Sequence, residues 1–228
     1  MSEKLLALTT ENLTEFWGKF AGYISFLEDS VRLGHNEEFK VKYQSVNKVA
    51  QKFHPDLRVE FGLDMKEAQV TSIVVTSAEK GEGRKIANTV AAARPDTLGD
   101  FVTPYRLPVL MWDTPVTKNW LSDLCAQYGY QSVSTEMGQC LANMKVGVKV
   151  NPNSGKVVMQ FGFKNKHEKK AIEREIVELM LEMLLGEQIA IEAIESKIYK
   201  VARDVNEGNG WHIVDGIQCR DTILKLLM

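Results

Sequence analysis

Residues 144–163 read MKVGVKVNPNSGKVVMQFGF and decide the fold class. Apolar and polar residues alternate over 144–150, the pattern of a strand with one buried face. The segment Asn151-Pro-Asn-Ser-Gly155 has the composition of a turn. Residues 156–163 are again rich in β-branched and aromatic side chains. The stretch therefore predicts a β-hairpin.

A second hairpin is predicted earlier, from alternation over 57–61 and a β-branched run over 70–76. Amphipathic spacing predicts helices at 13–31 and 36–53 before it, and a short alanine-rich helix at 84–93 after it. The strongest helical pattern, 168–184, follows the second hairpin. We therefore expect an α+β fold, with helices packed on a mainly antiparallel sheet.

The two halves of the chain share an order of elements. Each half reads as helix, strand, turn, strand, helix, strand. We therefore hypothesise two degenerate αββαβ halves with an extra N-terminal helix. We expect one globular unit over residues 1–228, with sub-modules at 1–107 and 116–228. The proline-flanked segment 107–115 is the linker candidate between them.

Composition narrows the class of protein. The 228 residues are 44% hydrophobic and 25% charged, and the net charge is −2, so no global field favours nucleic acid or an anionic membrane. No signal peptide and no membrane-spanning run is expected. Three widely spaced cysteines do not form a disulfide framework, which favours the cytoplasm.

The sharpest motif is Ser77-Ala-Glu-Lys-Gly-Glu-Gly-Arg-Lys85, between a strand and a helix, the context of a phosphate-binding loop. It resembles the phosphate loop of bacterial tyrosine kinases and partitioning-type ATPases. The hydroxyl that such a loop offers to magnesium is missing after the glycine, and no parallel sheet is expected around it. We expect no cofactor here; the weak binding candidates are Gly81, Gly83, Arg84 and Lys85.

Other catalytic and metal patterns are incomplete. The four histidines lie far apart, and no cysteine pair has metal-site spacing, so no metal is expected. No nucleophile-elbow signature is present. A catalytic site formed by residues that are distant in sequence remains an alternative.

Several segments, taken in order, resemble a group of bacterial proteins of no established activity. The resemblance covers most of residues 11–200, supports the α+β fold and transfers no catalytic residue. It is carried by Phe16-Trp17, Phe53-His-Pro-Asp-Leu57, Val59-Glu-Phe-Gly-Leu63, Ser72-Ile-Val-Val-Thr76, the alanines before Pro95, Tyr105-Arg-Leu-Pro108, Leu184-Leu-Gly-Glu187 and Ile194-Glu195.

The sequence is compatible with three classes of function. The leading expectation is a non-enzymatic interaction or regulatory protein, such as a toxin-neutralising or complex-assembling partner, binding another protein or itself. Its aromatic first helix offers apolar surface for a partner, although most of that stripe is expected in the core. The alternatives are a hydrolase or transferase with a non-sequential polar site, and a weak phosphate or nucleotide binder at residues 77–85.

Overall fold

Both expected hairpins are present in the computed structural model, which describes residues 5–34, 36–64, 69–77, 81–109, 116–117, 119–120, 135–171 and 174–228. Most of the expected linker lies outside these ranges. The sequence also predicts a helix over residues 118–128, before Gly129, and most of that segment lies outside them too. The chain divides into two compact units, Met1–Arg106 and Leu107–Met228. The expectation of one globular unit stays a prediction. Among the described residues, no helix has both the length and the apolar character needed to cross a membrane.

The first unit is a three-stranded sheet with helices. Its strands run in the order β1-β2-β3; β1 and β2 are antiparallel, and β2 and β3 are parallel. The elements in chain order are α1 (Thr10–Gly18), α2 (Phe20–Leu33), α3 (Asn36–Gln51), β1 (Arg58–Asp64), β2 (Gln69–Thr76), α4 (Glu82–Ala92) and β3 (Val102–Thr103).

The helix predicted at 13–31 is two helices, and this part of the prediction is wrong. α1 ends at Gly18, and the Lys19 amide donates to Phe16 O at 3.3 Å. Glycine weakens a helix interior, which favours a break at this position. The aromatic stripe of Phe16, Trp17 and Phe20 is buried on both sides of the break. Most of the aromatic surface is therefore core, as expected.

Asn47 of α3 completes the outer edge of β1. Its Nδ2 donates to Val59 O at 3.1 Å, and its Oδ1 accepts from Val59 N at 2.9 Å. Both residues are buried. The amide thus supplies the donor and acceptor that a neighbouring strand would supply, and it satisfies two backbone groups that burial would otherwise leave costly.

The second unit is a four-stranded sheet in the order β6-β5-β4-β7. β4 pairs antiparallel with β5 and β7, while β5 and β6 are parallel. The elements are α5 (Thr135–Asn143), β4 (Lys145–Val150), β5 (Val157–Phe163), α6 (Lys166–Ala171), α7 (Arg174–Leu185), β6 (Ile194–Val201), β7 (His212–Asp215) and α8 (Cys219–Leu227).

The core of the second unit lies between one face of its sheet and the helices α7 and α8. Val146 and Val148 of β4 and Phe161 of β5 are fully buried there, against Leu181 of α7 and Ile223 of α8. α7 ends before Gly186, whose φ of 78° is the left-handed conformation that suits glycine after a helix. The sequence predicts a strand over residues 189–199, but β6 begins later, because residues 189–193 form a π-helical turn.

Each unit contains a helix, an antiparallel hairpin, a helical connection and a third strand parallel to the second. The α+β class and the two αββαβ orders are therefore confirmed. The expectation that the sheet around residues 77–85 lacks parallel strands is wrong. α4 carries the chain back to the same sheet, and such a crossover places the next strand parallel to β2.

Candidate functional site

The four phosphate-loop candidates lie at the start of α4. Gly81 precedes the helix, and Gly83 and Arg84 are buried in its first turn, whereas Lys85 is exposed. Residues 78–80 of the loop lie outside the described part of the chain. Phosphate binding at residues 77–85 stays a prediction.

The Arg84 side chain connects three segments of the first unit. Its Nη2 donates to Thr76 Oγ1 at 2.9 Å, and its Nη1 donates to Pro104 O. The guanidinium carbon lies 4.5 Å from the centroid of the Tyr105 ring. Arg84 is 4% exposed, so this guanidinium joins α4 to the end of β2 and to the chain after β3.

The first surface feature is an apolar groove between α2 and α3, with a volume of about 310 Å³. Gly34, with φ of 70°, ends α2 and lets α3 begin two residues later. Phe26 and Val41 supply apolar lining, and Val41 is 65% exposed. We call this the α2–α3 groove; its remaining lining residues are Glu37, Glu38 and Lys42.

Lys42 covers the aromatic wall of the α2–α3 groove. Its Nζ lies 5.2 Å from the centroid of Phe26 and 6.0 Å from that of Tyr23. A lysine stem packs on apolar surface while its ammonium stays solvated. A partner that moved this side chain aside would reach more aromatic surface.

The second feature is a cleft of about 430 Å³ in the second unit, at the sheet end where β4 begins and β5 ends. α5, the start of α6 and the turn after β6 also contribute to it. We call it the β4–β5 cleft. Its lining residues are Gln139, Cys140, Asn143, Met144, Lys145, Gly162, Lys164, Glu168 and Ala202.

Cys140 and Glu168 are in contact in this cleft. The thiol donates to Glu168 Oε1, with Sγ 2.6 Å from the oxygen, and Glu168 Oε2 accepts from the Lys164 amide. Asn165 caps α6 by accepting from the Glu168 amide at 2.9 Å, which fixes the carboxylate in place. Burial, and then the hydrogen bond and charge of Glu168, raise the pKa of Cys140 to about 12. The thiol keeps its proton at neutral pH, so it is not activated as a nucleophile.

Residues 202–211, which we call the strap, contribute Ala202 to the lining of the β4–β5 cleft. Gln160 of β5 binds the strap backbone: its Oε1 accepts from Asn206 N at 3.1 Å, and its Nε2 donates to Asn206 O at 3.4 Å. A Cβ at Gly162 would lie 2.6 Å from Val205 Cγ2 and 3.0 Å from Ala202 Cα. Glycine at this position lets the strap lie directly on the sheet.

The strap also contacts the cleft lining through an ion pair between Glu207 Oε1 and Lys145 Nζ.

Sequence patterns did not indicate this site, because its residues come from separate elements between positions 139 and 207. The capping pair Asn165 and Glu168 was its one local signal. Within the described ranges, no group of three or more His, Cys, Asp or Glu side chains could hold a metal ion.

Comparison with family models, with curated proteins and with solved structures finds no match for this chain. The resemblance to a bacterial family stays a prediction. The α2–α3 groove and the β4–β5 cleft are the candidate functional sites.

Proposed function

We propose that the protein is a non-enzymatic interaction protein of the complex-assembling kind, which acts through the α2–α3 groove. The observation that supports the proposal is the exposure of apolar side chains on the two helices, α2 and α3, that form this groove. Val41 is 65% exposed, and Leu33 at the end of α2 is 63% exposed. Exposed apolar surface with a polar rim is typical of protein-binding sites.

The occupant we propose is the same groove of a second copy. A two-fold contact brings a patch against itself, so a charged rim is self-complementary only if it carries charges of both signs. The rim of the α2–α3 groove does so, with Glu37 and Glu38 on one side of Val41 in sequence and Lys42 on the other. Opposed copies would place acidic groups of one rim near basic groups of the other, around a shared apolar centre.

The test is the oligomeric state of wild-type protein and of Val41→Asp, measured by sedimentation equilibrium and by light scattering after gel filtration. We expect a dimer for the wild type and a monomer for Val41→Asp, since a carboxylate at the centre of the contact would be buried unpaired. Circular dichroism should be unchanged, because Val41 is exposed in the monomer. Thermal unfolding should match that of the wild type when both are compared at a concentration where the wild type has dissociated, since association itself stabilises the folded state.

Leu107→Asp is the matched control, because Leu107 is 62% exposed and lies outside the α2–α3 groove. It should remain dimeric. A wild type that stays monomeric over the whole concentration range contradicts self-association. A dimer that survives Val41→Asp places the contact elsewhere and contradicts the role of this groove.

A further inference from the structure

The β4–β5 cleft has the size of a small-molecule site. Its volume of about 430 Å³ falls within the range of such sites, roughly 300–1,000 Å³. Met144, Gly162 and Ala202 give it apolar lining, while two amide side chains and two lysines give it polar groups. Ligand pockets combine these two kinds of lining in this way.

The charged groups of the cleft differ in how fully they are engaged. Glu168 already accepts from the Cys140 thiol and from the Lys164 amide. Lys145 has a side chain 32% exposed, and its ammonium pairs with Glu207, whose side chain is 65% exposed. An ion pair this open to water contributes little to stability, so its carboxylate can be exchanged.

We propose that the β4–β5 cleft binds a small organic carboxylate, which pairs with Lys145 in place of Glu207. The strap carboxylate then acts as an internal occupant that a ligand displaces. The carbon chain of the ligand would lie along Met144 and Ala202, and Asn143 and Gln139 would be within the same lining for polar substituents. This site shares no lining residue with the α2–α3 groove, so the test of ligand binding does not depend on the result for self-association.

The experiment is an NMR titration of the full chain with succinate, with citrate and with inorganic phosphate, each at matched ionic strength. Succinate or citrate should give saturable amide shifts at residues 139–145 and 202–207, with a dissociation constant below about 20 mM. In Glu207→Gln the apparent constant should fall by about threefold or more, since removal of the internal competitor raises the fraction of open sites. Lys145→Met should abolish the shifts.

Lys197→Met is the matched control. Lys197 forms another ion pair of the second unit, with Nζ 3.4 Å from Glu178 Oε1, and it does not line the cleft. It should bind succinate as the wild type does. The proposal is overturned if neither wild type nor Glu207→Gln shows saturable shifts, or if Lys145→Met binds normally. Phosphate binding as tightly as the carboxylates overturns the ligand class.

Discussion

Glu60 and Arg106 form a bidentate ion pair in the first unit. Arg106 Nε lies 2.8 Å from Oε2 of Glu60, and Nη2 lies 2.6 Å from Oε1. Glu60 belongs to β1 and Arg106 follows β3, so the pair links chain segments on opposite sides of β2. The side chains are 31% and 35% exposed. Burial, and then the charge of Glu60, raise the pKa of the nearby Tyr43.

Arg106→Lys should lower the free energy of unfolding of the first unit by about 1 kcal/mol, because lysine cannot make two parallel hydrogen bonds to one carboxylate. Glu60→Gln should cost a similar amount, and the double variant should cost less than the sum. Urea denaturation followed by circular dichroism measures all three.

The control for this cycle is Asp29→Asn. Asp29 pairs with Arg32 at 3.2 Å, but both side chains are more than 60% exposed. Its loss should change stability by less than about 0.5 kcal/mol. Additive effects of the Glu60 and Arg106 substitutions would show that the pair is not coupled and would contradict the prediction.

Gly162→Ala should destabilise the second unit by about 1–3 kcal/mol, as overpacked sites do. The new methyl group would lie 2.6 Å from Val205 Cγ2 and 3.1 Å from Lys145 O, so the strap or β4 must move. Thermal unfolding by calorimetry measures the change.

Gly22→Ala tests the same substitution where space is open. A Cβ at Gly22 of α2 would meet nothing within 4 Å. Because alanine favours a helix, this variant should be up to about 1 kcal/mol more stable. A Gly162→Ala protein as stable as wild type would show that the strap does not press on the sheet.

Local patterns predicted the hairpins because their information is local. The turn at 151–155 and the alternation on either side of it specify both strands, and the structure pairs Val150 with Val157 as this requires. A third strand was predicted in each half, but its parallel pairing with the second strand was not. β3 has two residues, and parallel pairing joins segments that are distant in sequence.

The candidate sites were harder to predict for the same physical reason. Beside the β4–β5 cleft, Gln160 and Gly162 of β5 contact the strap, and Glu207 of the strap pairs with Lys145. These contacts join residues that are distant in sequence, so no periodic pattern of apolar and polar residues predicts them. The aromatic stripe of the first predicted helix was visible in the sequence, but most of it is buried. Exposed apolar side chains include Leu33 at the end of α2 and Val41 on α3.

Cys140 should react slowly with iodoacetamide, although it lines a cleft. With a pKa of about 12 in place of the usual 9, its thiolate fraction at pH 8 is about a thousandfold lower than that of a free thiol. Its alkylation rate should still rise about tenfold per pH unit between pH 9 and pH 11, where the rate of a thiol with a pKa of 9 levels off. Glu168→Gln removes a negative charge that raises this pKa, so the rate should increase several-fold, while burial keeps it below that of a free thiol. Peptide mass spectrometry separates Cys140 from Cys219, which is fully buried and serves as the internal control. An unchanged rate in Glu168→Gln, or a wild-type rate that levels off between pH 10 and pH 11, would show that the carboxylate does not hold the thiol proton.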